Sequence, residues 1–163
     1  MKAILMSIRP QWVVKILNGK KTVEIRKKFP KDYVGWVYIY CCKQRNNEIG
    51  CHINYKKVDG KVVARFWCDK VEPTYKFYVE ELCQLACINN EELYKYAGGW
   101  YKADDLLAIH IDKLEIFEKP KELTSFFVKS HKIKGIDRNG KDKDFVVLKP
   151  LNYAPQSWCY VEE

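Results

Sequence analysis

The chain has 163 residues, of which 47% are hydrophobic and 14% aromatic. This composition suits a single domain over residues 1–163 with a full core and excludes a disordered chain. No apolar run approaches the roughly 20 residues of a membrane span, and the first ten residues lack a signal-peptide pattern. We therefore expect a cytoplasmic protein. The formal net charge of +8 fits a nucleic-acid partner, because basic surfaces neutralise phosphates.

The cysteines give no sign of a metal site. There are seven, with no CxxC pair and no second ligand pair of matching spacing, so we expect no metal, and a zinc site least of all. In a reducing compartment they would act as small buried apolar residues. The sequence also lacks a phosphate loop, a dinucleotide fingerprint and a Ser/His/Asp order, and we expect no organic cofactor.

The first elements are a strand and a short helix. Residues 2–8 form a β-branched and apolar run that predicts a strand. Pro10 suits the first turn of a helix, and Gly19 is typical of the residue that ends one. Between them lies an apolar stripe at helical spacing. The stripe consists of Trp12, Val13, Ile16 and Leu17.

Residues 22–26 follow the helix and alternate between polar and apolar side chains. This period of two predicts a strand. Residues two apart on a strand share a face, so Thr22, Glu24 and Arg26 would project together, while Val23 and Ile25 would enter the core. Such a polar face can orient a polar ligand. The simpler interpretation is a solvated strand face with a Glu–Arg ion pair.

The rest of the chain is predicted as several strands with short helices inserted. A basic loop over 27–32 is followed by a strand over 35–42, a short strand within 51–55 and a long strand over 61–71 that is ended by Pro73. Two helices over 79–86 and 90–97 then precede a central strand over 106–117 and a loop at Pro120. The chain continues with a helical turn within 123–129, an exposed loop or hairpin over 133–144, and closing strands over 145–148 and 158–161. Asn89 or Asn90 would cap the second helix and Gly98-Gly99 would end it. This pattern favours a small mixed barrel over a parallel doubly wound sheet.

The N-terminal motif resembles the signature of the ASCH (activating-signal-cointegrator homology) family. Ser7-Ile8-Arg9-Pro10 is followed by the helix and then by Gly19-Lys20-Lys21-Thr22-Val23-Glu24-Ile25-Arg26. Three further segments fit the family pattern: Tyr38-Ile39-Tyr40, Leu107-Ala108-Ile109 and Pro155-Gln156-Ser157-Trp158. The last of these segments, read with Cys159-Tyr160-Val161, resembles short ASCH-like proteins that are common in bacteria and their phages. The resemblance covers nearly the full chain.

The resemblance implies an α+β, PUA-like fold: a partly open mixed β-barrel of five to six strands with short helices packed at its ends. Domains of this kind commonly bind RNA or modified bases in a cleft beside the first helix. Carried over position by position, the cleft residues are Ser7, Arg9, Lys21, Thr22, Glu24 and Arg26, with Tyr40, Gln156 and Ser157 as further candidates.

One function that follows is an RNA- or nucleotide-binding module. Arg9, Lys21 and Arg26 would meet a phosphate or a similar anionic group. Glu24 would accept a hydrogen bond from an exocyclic amine, as carboxylates do from cytosine N4. An aromatic ring would stack on the base. The candidates for that ring are Trp36, Trp67 and Tyr40.

The alternative is an enzyme acting on a nucleoside or on RNA. One ASCH branch hydrolyses the amide of N4-acetylcytidine with a Lys, Thr and Glu set. Its lysine corresponds to Lys21, but the position of its threonine is occupied by Glu24 here. Thr22 lies two residues before Glu24, about 6.5 Å from it along the strand. The distal glutamate could be Glu72, Glu80 or Glu91. RNA cleavage, known in another branch, stays open, as does binding of a partner protein through the lysine-rich residues 129–143.

Overall fold

The computed structural model describes residues 2–43, 51–53 and 56–162. The elements in chain order are β1 (Lys2–Ile8), α1 (Pro10–Leu17), β2 (Val23–Arg26), β3 (Gly35–Cys41), β4 (His52–Ile53), β5 (Lys56–Lys57), β6 (Val62–Cys68), β7 (Val71–Pro73), α2 (Val79–Ala86), α3 (Asn90–Ala97), β8 (Leu107–His110), β9 (Asp112–Lys121), β10 (Phe127–Ile136), β11 (Asp142–Pro150) and β12 (Trp158–Glu162). Short 3-10 segments lie at Thr74–Lys76, Trp100–Asp105 and Leu123–Ser125.

Most strands belong to one mixed sheet of seven strands. Its order is β11-β10-β12-β1-β3-β6-β9, with β1 and β3 parallel and the other neighbours antiparallel. A second sheet has the order β2-β8-β7 and is antiparallel throughout. The short strands β4 and β5 form a separate ribbon. The expected α+β class is confirmed.

Three apolar clusters fill the fold. The largest takes Ile4 and Met6 from one face of β1 together with Leu107 and Ile109 of β8, so it lies between the two sheets. The second packs β2 and β8 against α2 and α3. The third covers the other face of the large sheet. Because both faces of β1 are covered, residues 3–8 are all buried.

The helices agree closely with the sequence. Both α2 and α3 have the predicted bounds. The side chain of Asn89 accepts a hydrogen bond from the backbone of Glu92, whose carboxylate accepts one from the backbone of Asn89, which completes a capping box. Gly98, with φ 93°, ends α3 in the left-handed conformation that glycine adopts without steric cost.

Two long strand predictions are wrong, because the chain changes sheets where one strand was expected. The segment 61–71 divides between β6 in the large sheet and β7 in the small one. The segment 106–117 divides between β8 and β9, and Lys113, with φ 43°, lies just after the change. Adjacent polar residues, Asp69-Lys70 and Asp112-Lys113, interrupt the alternation next to both changes, and the prediction did not treat these interruptions as strand ends. The loop predicted at Pro120 is also wrong. Pro120 lies in β9, an edge strand, where its missing N–H is tolerated.

The C-terminal part forms a long hairpin. The helical turn predicted within 123–129 is limited to Leu123–Ser125, because β10 begins at Phe127. The hairpin predicted over 133–144 is confirmed and extends through β10 and β11. The two closing strands and the end of β7 at Pro73 are also confirmed.

The remaining short predictions agree where they can be compared. The strand predicted within 51–55 is present as β4, and residues 54–55 lie outside the described residues. The basic loop over 27–32 contains no helix or strand. Within the described ranges, no helix is long and apolar enough to cross a membrane.

Candidate functional site

The turn between α1 and β2 folds Lys21 back against the first helix. Gly19, with φ 69°, follows the helix end at Asn18. The backbone N–H groups of Lys20 and Lys21 then both donate to the carbonyl of Lys15. Helix α1 and strand β2 are thereby held in a fixed relation, and Lys21 enters the molecule at the start of the strand.

Lys21, Glu24 and Arg26 form a charged cluster, hereafter the buried cluster. Lys21 Nζ lies 3.2 Å from Glu24 Oε2, and Arg26 Nη2 lies 3.0 Å from Glu24 Oε1. Lys21 is 4% exposed and Glu24 is 7% exposed. Lys21 Nζ also donates to the carbonyl of Ala86, at the end of α2, at 2.8 Å. One carboxylate thus bridges two cations beneath the surface.

The predicted alternation explains how the cluster reaches this place. Val23 and Ile25 pack into the core beneath α2 and α3. Glu24 pairs with Ile109 and Arg26 with Leu107, and both of these partners belong to the core between the sheets. Since paired residues share a face, Glu24 and Arg26 project toward the large sheet.

Arg26 ties the small sheet to two segments of the large one. Its Nη2 donates to the carbonyl of Ser7, at the end of β1, at 2.7 Å, and its Nη1 donates to Ser157 Oγ at 3.3 Å. Ser7 Oγ donates to the carbonyl of Pro155 at 2.6 Å. Arg26 Nε is buried and has no hydrogen-bond partner among the described residues. A buried donor without a partner costs free energy unless a bound group or water accepts from it.

The other predicted cleft residues lie around this cluster or away from it. Arg9 and Gln156 are exposed. Thr22 is exposed and precedes β2, where its backbone N–H donates to Leu85 and its carbonyl accepts from Ile111. The structure therefore brings together Ser7, Lys21, Glu24, Arg26 and Ser157.

The three aromatic candidates for base stacking are not available beside the buried cluster. Tyr40 pairs with Ser7 across β1 and β3, but its ring is directed into the core. Tyr40 is 5% exposed and packs in the third core cluster. Trp36 and Trp67 contact each other edge to face, with centroids 5.3 Å apart. They lie opposite each other across β3 and β6, at the start of β3. Along β3, Trp36 is roughly 13 Å from Tyr40.

The distal glutamates do not join the buried cluster. Glu72 contacts Lys70, Lys76 and His110, and hydrogen bonding to Lys70 lowers the pKa of this carboxyl group. Glu72 pairs with Ala108, opposite Ile25, so it lies on the face of the small sheet that carries the second core. Glu80 and Glu91 are exposed on α2 and α3.

Trp12 on α1 lies beside the buried cluster, although the sequence did not place it at the site. The ring of Trp12 has Lys15 Nζ 4.5 Å and Lys21 Nζ 5.4 Å from its centroid, within the range of cation–π attraction. The helical stripe assigned this half-buried tryptophan to the core. In the sequence, only the position of Trp12 relative to Lys21, across the turn between α1 and β2, could have indicated that it lies at the site.

Two further residues lie near the cluster. Burial raises the pKa of the Tyr96 phenol. Arg26 lowers this pKa and Glu24 raises it further, so the phenol is close to both charges. Burial also raises the pKa of the Cys42 thiol, while Arg26 and Arg9 act in the opposite direction. Tyr96 comes from α3, about 70 residues away in sequence, and only the tertiary fold brings it here.

The cluster can hold an anion or a polar ring. Two cations and one carboxylate leave one excess positive charge, and guanidinium groups present paired donors to planar anions. Glu24 adds an acceptor, and Trp12 and Tyr96 add flat surfaces. Among the described residues, no group of three or more His, Cys, Asp or Glu side chains is arranged to hold a metal ion.

The fold matches solved structures of the ASCH protein from Zymomonas mobilis. One structure of that protein gives a TM-score of 0.55 at 17% identity, covering 74% of this chain and 73% of that chain. Two mutants give TM-scores of 0.55 and 0.52 at 17% and 16% identity, covering 76% and 74% of this chain and 77% and 74% of theirs. No family model and no curated protein sequence matches the chain. The chain has the fold of ASCH proteins, as its N-terminal motif predicted.

Proposed function

We propose that the protein is an RNA- or nucleotide-binding module whose site is the cleft over the buried cluster, beside α1. The observation that carries the proposal is the bridge from Lys21 through Glu24 to Arg26. Burying three charges costs free energy even when they are paired. A solvated ion pair would serve stability at lower cost, so the arrangement favours recognition of a charged or strongly polar ligand.

The site offers complementary groups to both parts of a nucleotide. Arg26 Nε, without a partner among the described residues, and the exposed Arg9 at the rim would donate to phosphate oxygens. Glu24 would accept from an exocyclic amine of the base. Trp12 or Tyr96, rather than Trp36, Trp67 or Tyr40, would stack on the ring.

The proposal includes the wider setting of the site. The two sheets would form the partly open PUA-like barrel that the resemblance implies, with α1 at one end and α2 and α3 covering the small sheet. Residues 1–163 would act as a single domain in the cytoplasm, without a metal or an organic cofactor. RNA or a nucleotide would be the partner.

The test compares two neighbouring lysines. Fluorescence anisotropy with labelled single-stranded RNA and DNA, at two salt concentrations, would be measured for wild type, Lys21→Met and Lys20→Met. Both variants lose one positive charge, but Lys20 is exposed and Lys21 is buried in the cluster. We expect tight, salt-dependent binding by wild type, at least about tenfold weaker binding by Lys21→Met, and a much smaller change in Lys20→Met.

Equal losses in the two variants would mean that net charge, and not the cleft, determines binding. An absence of binding to any polymer at low salt would limit the ligand to a free nucleotide or modified nucleoside. Isothermal titration with nucleoside monophosphates would then decide whether the cleft binds a small ligand at all.

A hydrolase is the second candidate, because Lys21 Nζ lies within reach of a carboxylate in a buried position. General acid–base catalysis needs such a contact. In an amidohydrolase of the N4-acetylcytidine type, water would add across the amide and release cytidine and acetate. Lys21 and Glu24 would carry the chemistry. Thr22 would contribute only if its exposed hydroxyl faced the bound substrate.

Chromatography of N4-acetylcytidine, and electrophoresis of labelled RNA, after incubation with the protein would test this candidate. Product formation that is lost in Lys21→Met and retained in Lys20→Met would establish an enzyme. Loss of activity in Thr22→Val would give the threonine a catalytic role. Unchanged substrates at high enzyme concentration would exclude both reactions.

A further inference from the structure

The hairpin β10–β11 concentrates positive charge away from the cleft. Residues 127–150 contain seven lysines and arginines and three aspartates, a net charge of +4. By contrast, residues 69–105, which carry α2 and α3, contain four lysines and eight acidic residues, a net charge of −4. Charge is therefore segregated along the chain, whereas a surface selected only for solubility carries both signs interspersed.

Two aspartates of the hairpin interact with other residues of the hairpin. Asp137 Oδ1 accepts hydrogen bonds from the backbone N–H groups of Asn139 and Lys141, which fixes the turn. Asp144 lies 3.6 Å from Lys132. Toward the tip of the hairpin, the side chains of four exposed cations form no ion pair or hydrogen bond with any described residue. These cations are Lys134, Arg138, Lys141 and Lys143.

The cross-strand register distributes the cations over both faces and the tip. Lys143 pairs with Gly135, next to the pair of Ile133 and Phe145. Lys134 pairs with Asp144 and therefore projects from the opposite face. Arg138 lies in the turn. A ribbon that carries cations on both sides can meet phosphates on either side of it.

The hairpin begins next to a groove between β10 and β12, at the end of β12 that carries Glu162. β10 pairs with β12 at Phe127 and Glu162 in antiparallel orientation, so it runs from there toward the end of β12 that follows Ser157. A cavity of about 300 Å³ between the two strands is lined in part by Lys2, Lys129 and Tyr160. Lys2 Nζ lies 3.6 Å from the centroid of the Tyr160 ring. Cationic and aromatic side chains together are the elements of a single-strand track.

We propose that the hairpin β10–β11 is a second RNA-binding surface, which contacts phosphates of a single strand several nucleotides away from the nucleotide that occupies the cleft. This inference rests on the proposed function and extends it. The cleft would recognise one nucleotide, and the hairpin would supply affinity that depends on RNA length and on salt but not on sequence.

The test uses two probes and two charge-matched variants. The hairpin variant carries Lys134→Gln, Arg138→Gln and Lys143→Gln. The control carries Lys102→Gln, Lys113→Gln and Lys119→Gln, three exposed lysines outside the hairpin. Affinity for a labelled trinucleotide and for a labelled 20-nucleotide RNA is measured over a range of salt concentrations, and light scattering gives the oligomeric state.

We expect the hairpin variant to bind the long RNA at least about tenfold more weakly, with a log–log salt slope reduced by about 2, since each phosphate contact to a single strand contributes about 0.7. Its affinity for the trinucleotide should equal that of wild type, and the control should retain both affinities.

Three results would overturn the inference in distinguishable ways. If the hairpin variant bound the long RNA as tightly as wild type while Lys21→Met bound it weakly, the cleft would remain an RNA-binding site and the hairpin would not be one. If the hairpin variant kept its RNA affinity but was a monomer where wild type is a dimer, the hairpin would be an interface between copies of the chain. A wild-type protein that binds neither probe would remove the inference together with the RNA-binding form of the proposed function.

Discussion

The buried cluster and the exposed end of the hairpin β10–β11 use the same side-chain types in opposite surroundings. In the cluster, two cations share one carboxylate and donate to the carbonyls of Ala86 and Ser7. At the hairpin end, four cations project into solvent without ion pairs to any described residue. Both regions are basic, but only in the first does each charge depend on its neighbours.

The difference shows why net charge alone does not locate a function. A charge in the cluster stabilises the fold and would also hold a ligand, so its removal affects both properties. A charge on the hairpin is already solvated, so its removal leaves stability nearly unchanged. Measurements of stability and of binding on the same variants therefore separate the two regions.

The largest effect is expected for Glu24→Gln. This change leaves two cations buried without a compensating charge, and breaking a buried pair costs about 3–5 kcal/mol. Chemical denaturation should show a loss of that size. Glu118→Gln, at an exposed strand position, should cost less than about 0.5 kcal/mol. Equal, small losses in both variants would mean that the cluster is solvated.

Arg26→Lys should have the next largest effect. Lysine keeps the charge, but its single nitrogen replaces the two guanidinium nitrogens that reach Glu24, Ser7 and Ser157. We expect a loss of about 1–3 kcal/mol in stability and at least a tenfold loss in RNA affinity. The matched change is Arg65→Lys, since Arg65 is paired with Glu115 near the surface. If Arg65→Lys weakened RNA binding as much as Arg26→Lys, the cleft would not be the site.

Asn89→Ala should have a smaller effect on stability, of about 1 kcal/mol, because it removes one half of the capping box of α3. The helix carries Tyr96 beside the cluster, yet the cap itself is exposed and remote from the charges. RNA affinity should therefore change less than about threefold. A large loss of affinity without loss of stability would instead place the cap at the ligand.

The hairpin variant with Lys134→Gln, Arg138→Gln and Lys143→Gln should have the smallest effect on stability, less than about 0.5 kcal/mol in thermal or chemical denaturation. Its effect on long RNA should nevertheless be large. A marked loss of stability would show that these lysines support the hairpin itself, and the contrast between the two regions would fail.

The sequence predicted the central part of the site because alternation is a local property. Val23 and Ile25 entered the core, and Glu24 and Arg26 came together on the other face, as the period of two required. Thr22 was expected on that face too, but the strand begins one residue later and Thr22 is exposed.

The contributions of distant segments could not be predicted in this way. Ser157 contacts Arg26, and Tyr96 lies near it, only through tertiary packing, and no local pattern marks either residue. The two strands that were predicted as continuous have a different explanation. The adjacent polar pairs Asp69-Lys70 and Asp112-Lys113 break the alternation next to the changes of sheet at β6–β7 and β8–β9, but they were not interpreted as strand ends.

The most direct measurement is the ¹⁵N NMR signal of the Arg26 side chain during titration with a short RNA. Arg26 Nε is buried without a partner among the described residues, and we expect its signal to shift and to saturate as the cleft fills. The Arg65 Nε signal, whose N–H already donates to Glu115, should stay in place. An unchanged Arg26 signal at saturating RNA, while other residues shift, would contradict the claim that the buried cluster is the binding site.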